Sequence, residues 1–210
     1  MSMAGWSAEG SALSEAGLQP LSFHGAHGGL VPLALEHEEA LSAAAAEGEL
    51  FRTWYTTVPS PQGMRAEIER RLALQARGAM LPFTIVDGEG VPVGMTTYMN
   101  LELEVPRLEI GYTWYGRRVQ RTALNTECKL LLLTHAFEEI DCLAVEFRTA
   151  FFNRQSRRAI ERLGAKLDGI LRCHRRFPDG SLRDTCVYSI VAAEWPAVRT
   201  NLQFMLARGA

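Results

Sequence analysis

The chain has 210 residues, of which 47% are apolar and 22% charged, with a formal net charge of −2 at neutral pH. That length can bury a full core as one domain, and the near-neutral balance gives no reason to expect nonspecific nucleic-acid or membrane-surface binding. No run approaches the roughly 18–20 apolar residues of a membrane span, and the opening MSMAGWSAEGSALSEAG has neither the basic nor the apolar region of a signal peptide.

Residues 1–20, rich in small side chains, read as an N-terminal arm, and residues 21–210 as one domain. A strand is expected near Gly29–Leu33 and a helix near Glu36–Ala46. TVPSPQGM is a turn, and Met64–Arg77 is an amphipathic helix. Strands follow at Pro82–Val86, Val91–Asn100 and Arg107–Trp114, the first two joined through DGEG as a hairpin. Thr126–Ile140 carries Leu130, Leu133, Phe137 and Ile140 at helical spacing, and Leu143–Thr149 is rich in strand formers. Asn153–Leu163 is a helix stopped by Gly164. Lys166–Phe177 and Ser181–Val191 form a hairpin around PDG, and Trp195–Met205 closes the chain as a helix. This order predicts an α/β (α+β) domain on a single mixed, mostly antiparallel sheet.

Cys128, Cys142, Cys173 and Cys186 are too widely spaced for a CxxC site and read as reduced core thiols of a cytoplasmic protein. The five histidines form no HxxxH or HxH pair, so no metal is expected. The hairpin and closing helix offer apolar material for a homodimer.

The stretch Glu109–Glu127, EIGYTWYGRRVQRTALNTE, carries the most chemistry. A strand runs through a basic turn into a helix, and helix N-termini present free N–H groups that hold phosphates. Arg117, Arg118 and Arg121 lie there with no carboxylate between Ile110 and Thr126. Guanidinium groups suit phosphate, although a solvated basic turn would look the same on charge alone. Asn153 and Ser156 open the second helix three residues apart, as an N-cap with its first turn or as ligand contacts.

Taken together, IGYTW with TEC-K-LLLL-HAF, NxxSxxAIExLGA and the trailing LRxHRRFPDGSLRDTxVYSI–EW resemble the GNAT superfamily of N-acetyltransferases, nearest its RimJ/RimL-like branch. The resemblance spans residues 24 to 195. It implies a GNAT-like domain with a central β-α-β-α unit holding acetyl-CoA. It also implies acetyl transfer to a primary amine, on a small molecule or a protein N-terminus, by direct attack in a ternary complex. Neither nucleic acid nor membrane is an implied partner. Ile110, Gly111, Tyr112 and Thr113 would hold the pantetheine arm. Arg118, Gln120, Arg121, Thr122, Ala123, Leu124, Asn125 and Thr126 would form the pyrophosphate loop, with Asn153 and Ser156 as further cofactor contacts. Where the family pattern Q/R-x-x-G-x-G/A has glycines, this chain has Ala123 and Asn125. Asn tolerates the left-handed region a glycine would occupy there. The departure leaves a weak CoA-binding or regulatory module as the alternative function.

Ser156 is the candidate to protonate the departing thiolate, and Glu109 the candidate base. Glu109 is expected to share a strand face with Gly111 and Thr113, opposite Ile110, Tyr112 and Trp114. Its other reading is a strand-edge carboxylate paired with Arg148, and Glu146 is a weaker rival for the base. Trp54 and Tyr55 wall the acceptor pocket or pack in the core. His174, with Arg175 and Arg176, would attract an acidic acceptor or serve as a polar strand residue.

Overall fold

A computed structural model describes residues 20–208; the expected arm therefore lies, but for residue 20, outside the described residues. Thirteen elements follow in chain order: β1 (Phe23–His24), β2 (Gly28–Pro32), α1 (Glu38–Ala46), α2 (Met64–Gln75), β3 (Met80–Asp87), β4 (Pro92–Glu102), β5 (Arg107–Tyr115), α3 (Ala123–Thr134), β6 (Ala144–Ala150), α4 (Arg154–Arg162), β7 (Lys166–Arg176), β8 (Leu182–Val191) and α5 (Trp195–Ala207). The strands form one eight-stranded sheet in the order β1-β2-β3-β4-β5-β6-β8-β7. Every neighbouring pair is antiparallel except β5 and β6, which α3 joins as a crossover connection.

Two apolar clusters sit on opposite faces of the sheet. On one face Leu124, Cys128, Leu132 and Leu133 of α3 pack with Ile160, Val198 and Leu202 against Leu108, Ile110, Val145, Phe147 and Tyr188. On the other, Leu41, Ala44, Met64 and Ile68 of α1 and α2 cover Met95 and Trp114. Each fully buried aliphatic side chain contributes about 1.5–3 kcal/mol, so each face is anchored by the helices that frame it. Gly164 takes φ +104°, the left-handed stop expected after α4. Two expectations need correction. α3 starts at Ala123 rather than Thr126, because Thr122 serves as its N-cap. Cys173 is exposed on β7, whereas Cys128, Cys142 and Cys186 are buried.

Candidate active site

β5 and β6 pair only from Arg107–Glu109 to Ala144–Glu146. Beyond Glu109 the two strands part, while β6 stays joined to β8 as far as Ala150 and Thr185. The gap opens a cleft of about 910 Å³, with one backbone edge of Ile110–Tyr115 left without a strand partner.

The parting coincides with a bulge. Thr97 pairs with Gly111 and Met95 with Trp114, so two residues of β5 oppose one of β4. Tyr112 takes φ +48°, a strained setting for an aromatic residue that the surroundings must hold. Arg71 of α2, only 1% exposed, does so. It donates to the Tyr112 carbonyl at 3.3 Å, to Thr97 Oγ1 at 3.0 Å and to Glu67 Oε1 at 2.7 Å. The Arg70 and Arg71 guanidiniums also lie 5.3 Å from the Tyr112 ring centre.

The bulge corrects the expected alternation. Ile110 joins the α3 face, Trp114 joins the α1–α2 face, and Thr113 meets Lys129 of α3. Glu109 and Gly111 do remain together: a Cβ on Gly111 would stand 3.1 Å from Glu109 Oε1.

On the α3 face, Gln120, Arg121, Thr122 and Asn125 line the cleft. The left-handed residue is Arg121, at φ +62°, and Asn125 is absent from the positive-φ residues. Asn125 thus sits inside the first turn of α3, and the glycine-like role expected of it falls to Arg121. Ala123 and Leu124 are buried beneath the turn, and buried Thr126 accepts from Arg162 Nη2 at 3.0 Å, tying α3 to α4. Arg118 stands outside the cleft lining, engaged by Asp87 at 3.1 Å and by Glu47. From α4 come Asn153, Ser156, Arg158 and Arg162. Asn153 Oδ1 accepts from the Ser156 N–H at 2.9 Å, so it caps the helix and faces the cleft at once.

On the opposite face Glu109 is 6% exposed. Asn100 Nδ2 donates to its Oε2 at 2.8 Å, and Arg148 Nε lies 3.5 Å away. Burial pushes its carboxyl above the ordinary range, against the opposing pull of Asn100, Arg148, Arg175 and Arg183. Both readings of Glu109 therefore coexist, a cleft-lining carboxylate and an arginine partner. Glu146, outside the lining, is held between Arg107 and Arg148. Tyr55 and His174 line the cleft, the latter 3.2 Å from Thr185 Oγ1. Trp54 does not line it. Its ring instead packs on Tyr55, Phe152 and Phe177, at 5.5, 5.6 and 4.9 Å between centres. That cluster fastens the segment between α1 and α2 to the hairpin of β7 and β8.

Residues 29–166 match the model of the acetyltransferase (GNAT) domain. The chain belongs to the GNAT acetyltransferase family. It is 31% identical over 107 residues to YdaF of Bacillus subtilis (strain 168), named for ribosomal N-acetylation; the match spans 51% of this chain and 57% of that relative. A solved acetyltransferase structure from T. thermophilus is 35% identical, with a TM-score of 0.78, covering 90% of this chain and 98% of its own. A GCN5-related N-acetyltransferase from Brucella melitensis is 29% identical, also at TM-score 0.78, covering 90% and 86%.

GNAT enzymes use acetyl-CoA, and the α3 face fits such a ligand. Two helix N-termini meet there, and neither Arg121 nor Arg158 has an ion-pair partner among the described residues. Sequence reading missed Arg158, Arg183 and Lys129. Arg158 follows Ser156 on α4 within a motif already singled out. Lys129 looks like a surface residue of α3, yet it is buried, and its Nζ reaches only Thr113 and Thr96 hydroxyls at 3.2 and 3.5 Å. Burial lowers its pKa to about 8.

Proposed function

We propose that the chain transfers the acetyl group of acetyl-CoA to a primary amine by direct attack in a ternary complex. The observation that supports it best is the parting of β5 and β6. It brings helix N-termini, which suit phosphate, on one face within one cleft of a buried carboxylate on the other. Acetyl-CoA supplies an activated thioester. Arg121, Arg158 and the N-termini of α3 and α4 hold the anionic end. The open edge of β5 offers backbone N–H groups to the arm and to the carbonyl oxygen as it gains charge. Glu109, its pKa raised toward that of an acceptor ammonium, takes the proton that leaves the attacking nitrogen. The carbon–nitrogen bond forms, the carbon–sulfur bond breaks, and the Ser156 hydroxyl hydrogen-bonds to or protonates the departing thiolate.

Thiol release from acetyl-CoA over a panel of peptides and small amines tests the reading. The expected result is saturable turnover on at least one class of amine. Saturable CoA binding without turnover on any of them would leave only the binding-module alternative.

A further inference from the structure

The hairpin of β7 and β8 carries an arrangement that acetyl transfer as such does not require. Arg175 and Arg183 stand directly opposite each other across the two strands, and both line the cleft. Like charges in facing positions destabilise a sheet unless something between them carries the opposite sign. Other arginines of the same hairpin are provided for: Arg172 pairs with Asp184 at 2.6 Å, and Arg176 donates to the Gly180 carbonyl at 2.9 Å. Among the described residues, no carboxylate pairs with Arg175 or Arg183. The Arg183 Nε is buried with no hydrogen-bond partner. A buried guanidinium N–H left unmade costs stability, so it marks a place for an acceptor from outside the chain.

The phosphates of the cofactor are not that acceptor. Along β8, Arg183 shares its face with Thr185, Val187 and Ser189, whereas Cys186, Tyr188 and Ile190 pack on the α3–α4 side. Through the ladder, that face also holds Arg148, Glu146 and Glu109. The arginine pair therefore lies on the side of the sheet where the attacking amine would meet Glu109. Its field reaches that carboxylate, since Arg175 and Arg183 both oppose the upward shift of Glu109. Burial, then Arg175, lowers the Arg183 pKa in turn.

We propose that Arg175 and Arg183 form a fork for a carboxylate, and that the acceptor carries this carboxylate in the same residue as its amine. Forked guanidinium donors match the two oxygens of a carboxylate, which would satisfy the orphan Nε and neutralise the facing charges together. An α-amine of an N-terminal aspartate or glutamate has this chemistry, and so has a free amino acid. The inference rests on the acetyl-transfer reading above.

The test is thiol release with acetyl-CoA on peptides that open with Asp, Asn, Glu or Gln, beside free aspartate and its C-terminal amide. The expected kcat/KM ratio of each acidic acceptor to its isosteric amide is roughly 10- to 100-fold, the range for charge-assisted hydrogen bonds. A ratio confined to the Asp and Glu peptides identifies a side-chain carboxylate on an N-terminus; one confined to free aspartate identifies a small amino acid. Arg183→Gln and, separately, Arg175→Gln should abolish the ratio through acceptor KM while leaving the acetyl-CoA Kd within about twofold of the parent. Arg183→Lys should restore part of it.

Turnover equal on acids and amides would overturn the fork and leave acetyl transfer standing. A loss of acetyl-CoA affinity in Arg175→Gln and Arg183→Gln, with acceptor KM unchanged, would reassign the arginines to the cofactor. No turnover on any acceptor would overturn both readings.

Discussion

The two sides of the cleft are built by different means. On the α3–α4 face the proposed binding groups are mainly backbone: helix N-termini, the cap at Asn153 and the unpaired edge of β5, positioned by two helices fastened through Arg162 and Thr126. On the opposite face they are long side chains drawn from four elements: Glu109, Arg148, Arg175 and Arg183 from β5, β6, β7 and β8. A backbone site suits one unchanging ligand, since its donors need no particular side chains. A side-chain site can be rewritten residue by residue, which is how one fold serves many acceptors.

The Arg71 clamp reaches the bulge from the Glu109 side, and its loss should disturb both sides. Arg71→Met strips the donors from Thr97 and the Tyr112 carbonyl and frees the Tyr112 bulge, while Glu67 keeps Arg70, and a loss of about 3 kcal/mol is expected in urea denaturation. A smaller change, with activity kept, would show that the bulge holds itself. Glu109→Gln should divide the sides: kcat falls about 100-fold with acetyl-CoA affinity intact. Because burial raises the Glu109 pKa, kcat/KM of the parent should fall with acidification above the ordinary carboxylate range. The glutamine variant should lack that limb, and an unchanged pH profile would remove Glu109 as the base.

Lys129→Met probes the cofactor side through stability. With a folded pKa of about 8 against an ordinary lysine value of 10.5, the burial penalty is fully present below the folded pKa and fades as pH rises toward the ordinary one. The variant should therefore be about 2 kcal/mol more stable at neutral pH, with the gain shrinking in alkali; a pH-independent difference would contradict a buried charge. Arg121→Ala and Arg158→Ala should each weaken acetyl-CoA binding about tenfold by calorimetry, without changing acceptor KM. Ser156→Ala should give the smallest effect, a few-fold drop in kcat that exceeds any loss of affinity. Equal losses would make it a binding residue only.

The same division governs what the sequence revealed. Helices, hairpins and the Asn153–Ser156 cap follow from local periodicity and capping, and the expected elements recur within a few residues. The β5 bulge does not, because a register slip is a property of two strands, and the left-handed residue is Tyr112 rather than its neighbour Gly111. Nor could Asn125 be separated from Arg121 as the special backbone position without knowing that Thr122 caps α3. Lys129 and Trp54 are not placed by sequence alone, for a related reason. Their burial and partners are set by chain segments far away in sequence, Thr113 and Thr96 for one, Phe152 and Phe177 for the other. The facing of Arg175 and Arg183 likewise depends on the two-residue irregularity between Leu171 and Arg175 in β7.

The unpartnered edge of β5 has a further consequence, for solubility. A row of free N–H and C=O groups on a strand ordinarily invites pairing with another chain, and proteins blunt such edges with charge, proline or cover. Here the edge faces inward across a cleft whose opposite wall, β6, diverges too far to pair with it. The edge is thus screened by β6 from pairing with a neighbouring strand yet open to a slender ligand, which is one way for a fold to keep a strand-pairing surface from inviting aggregation.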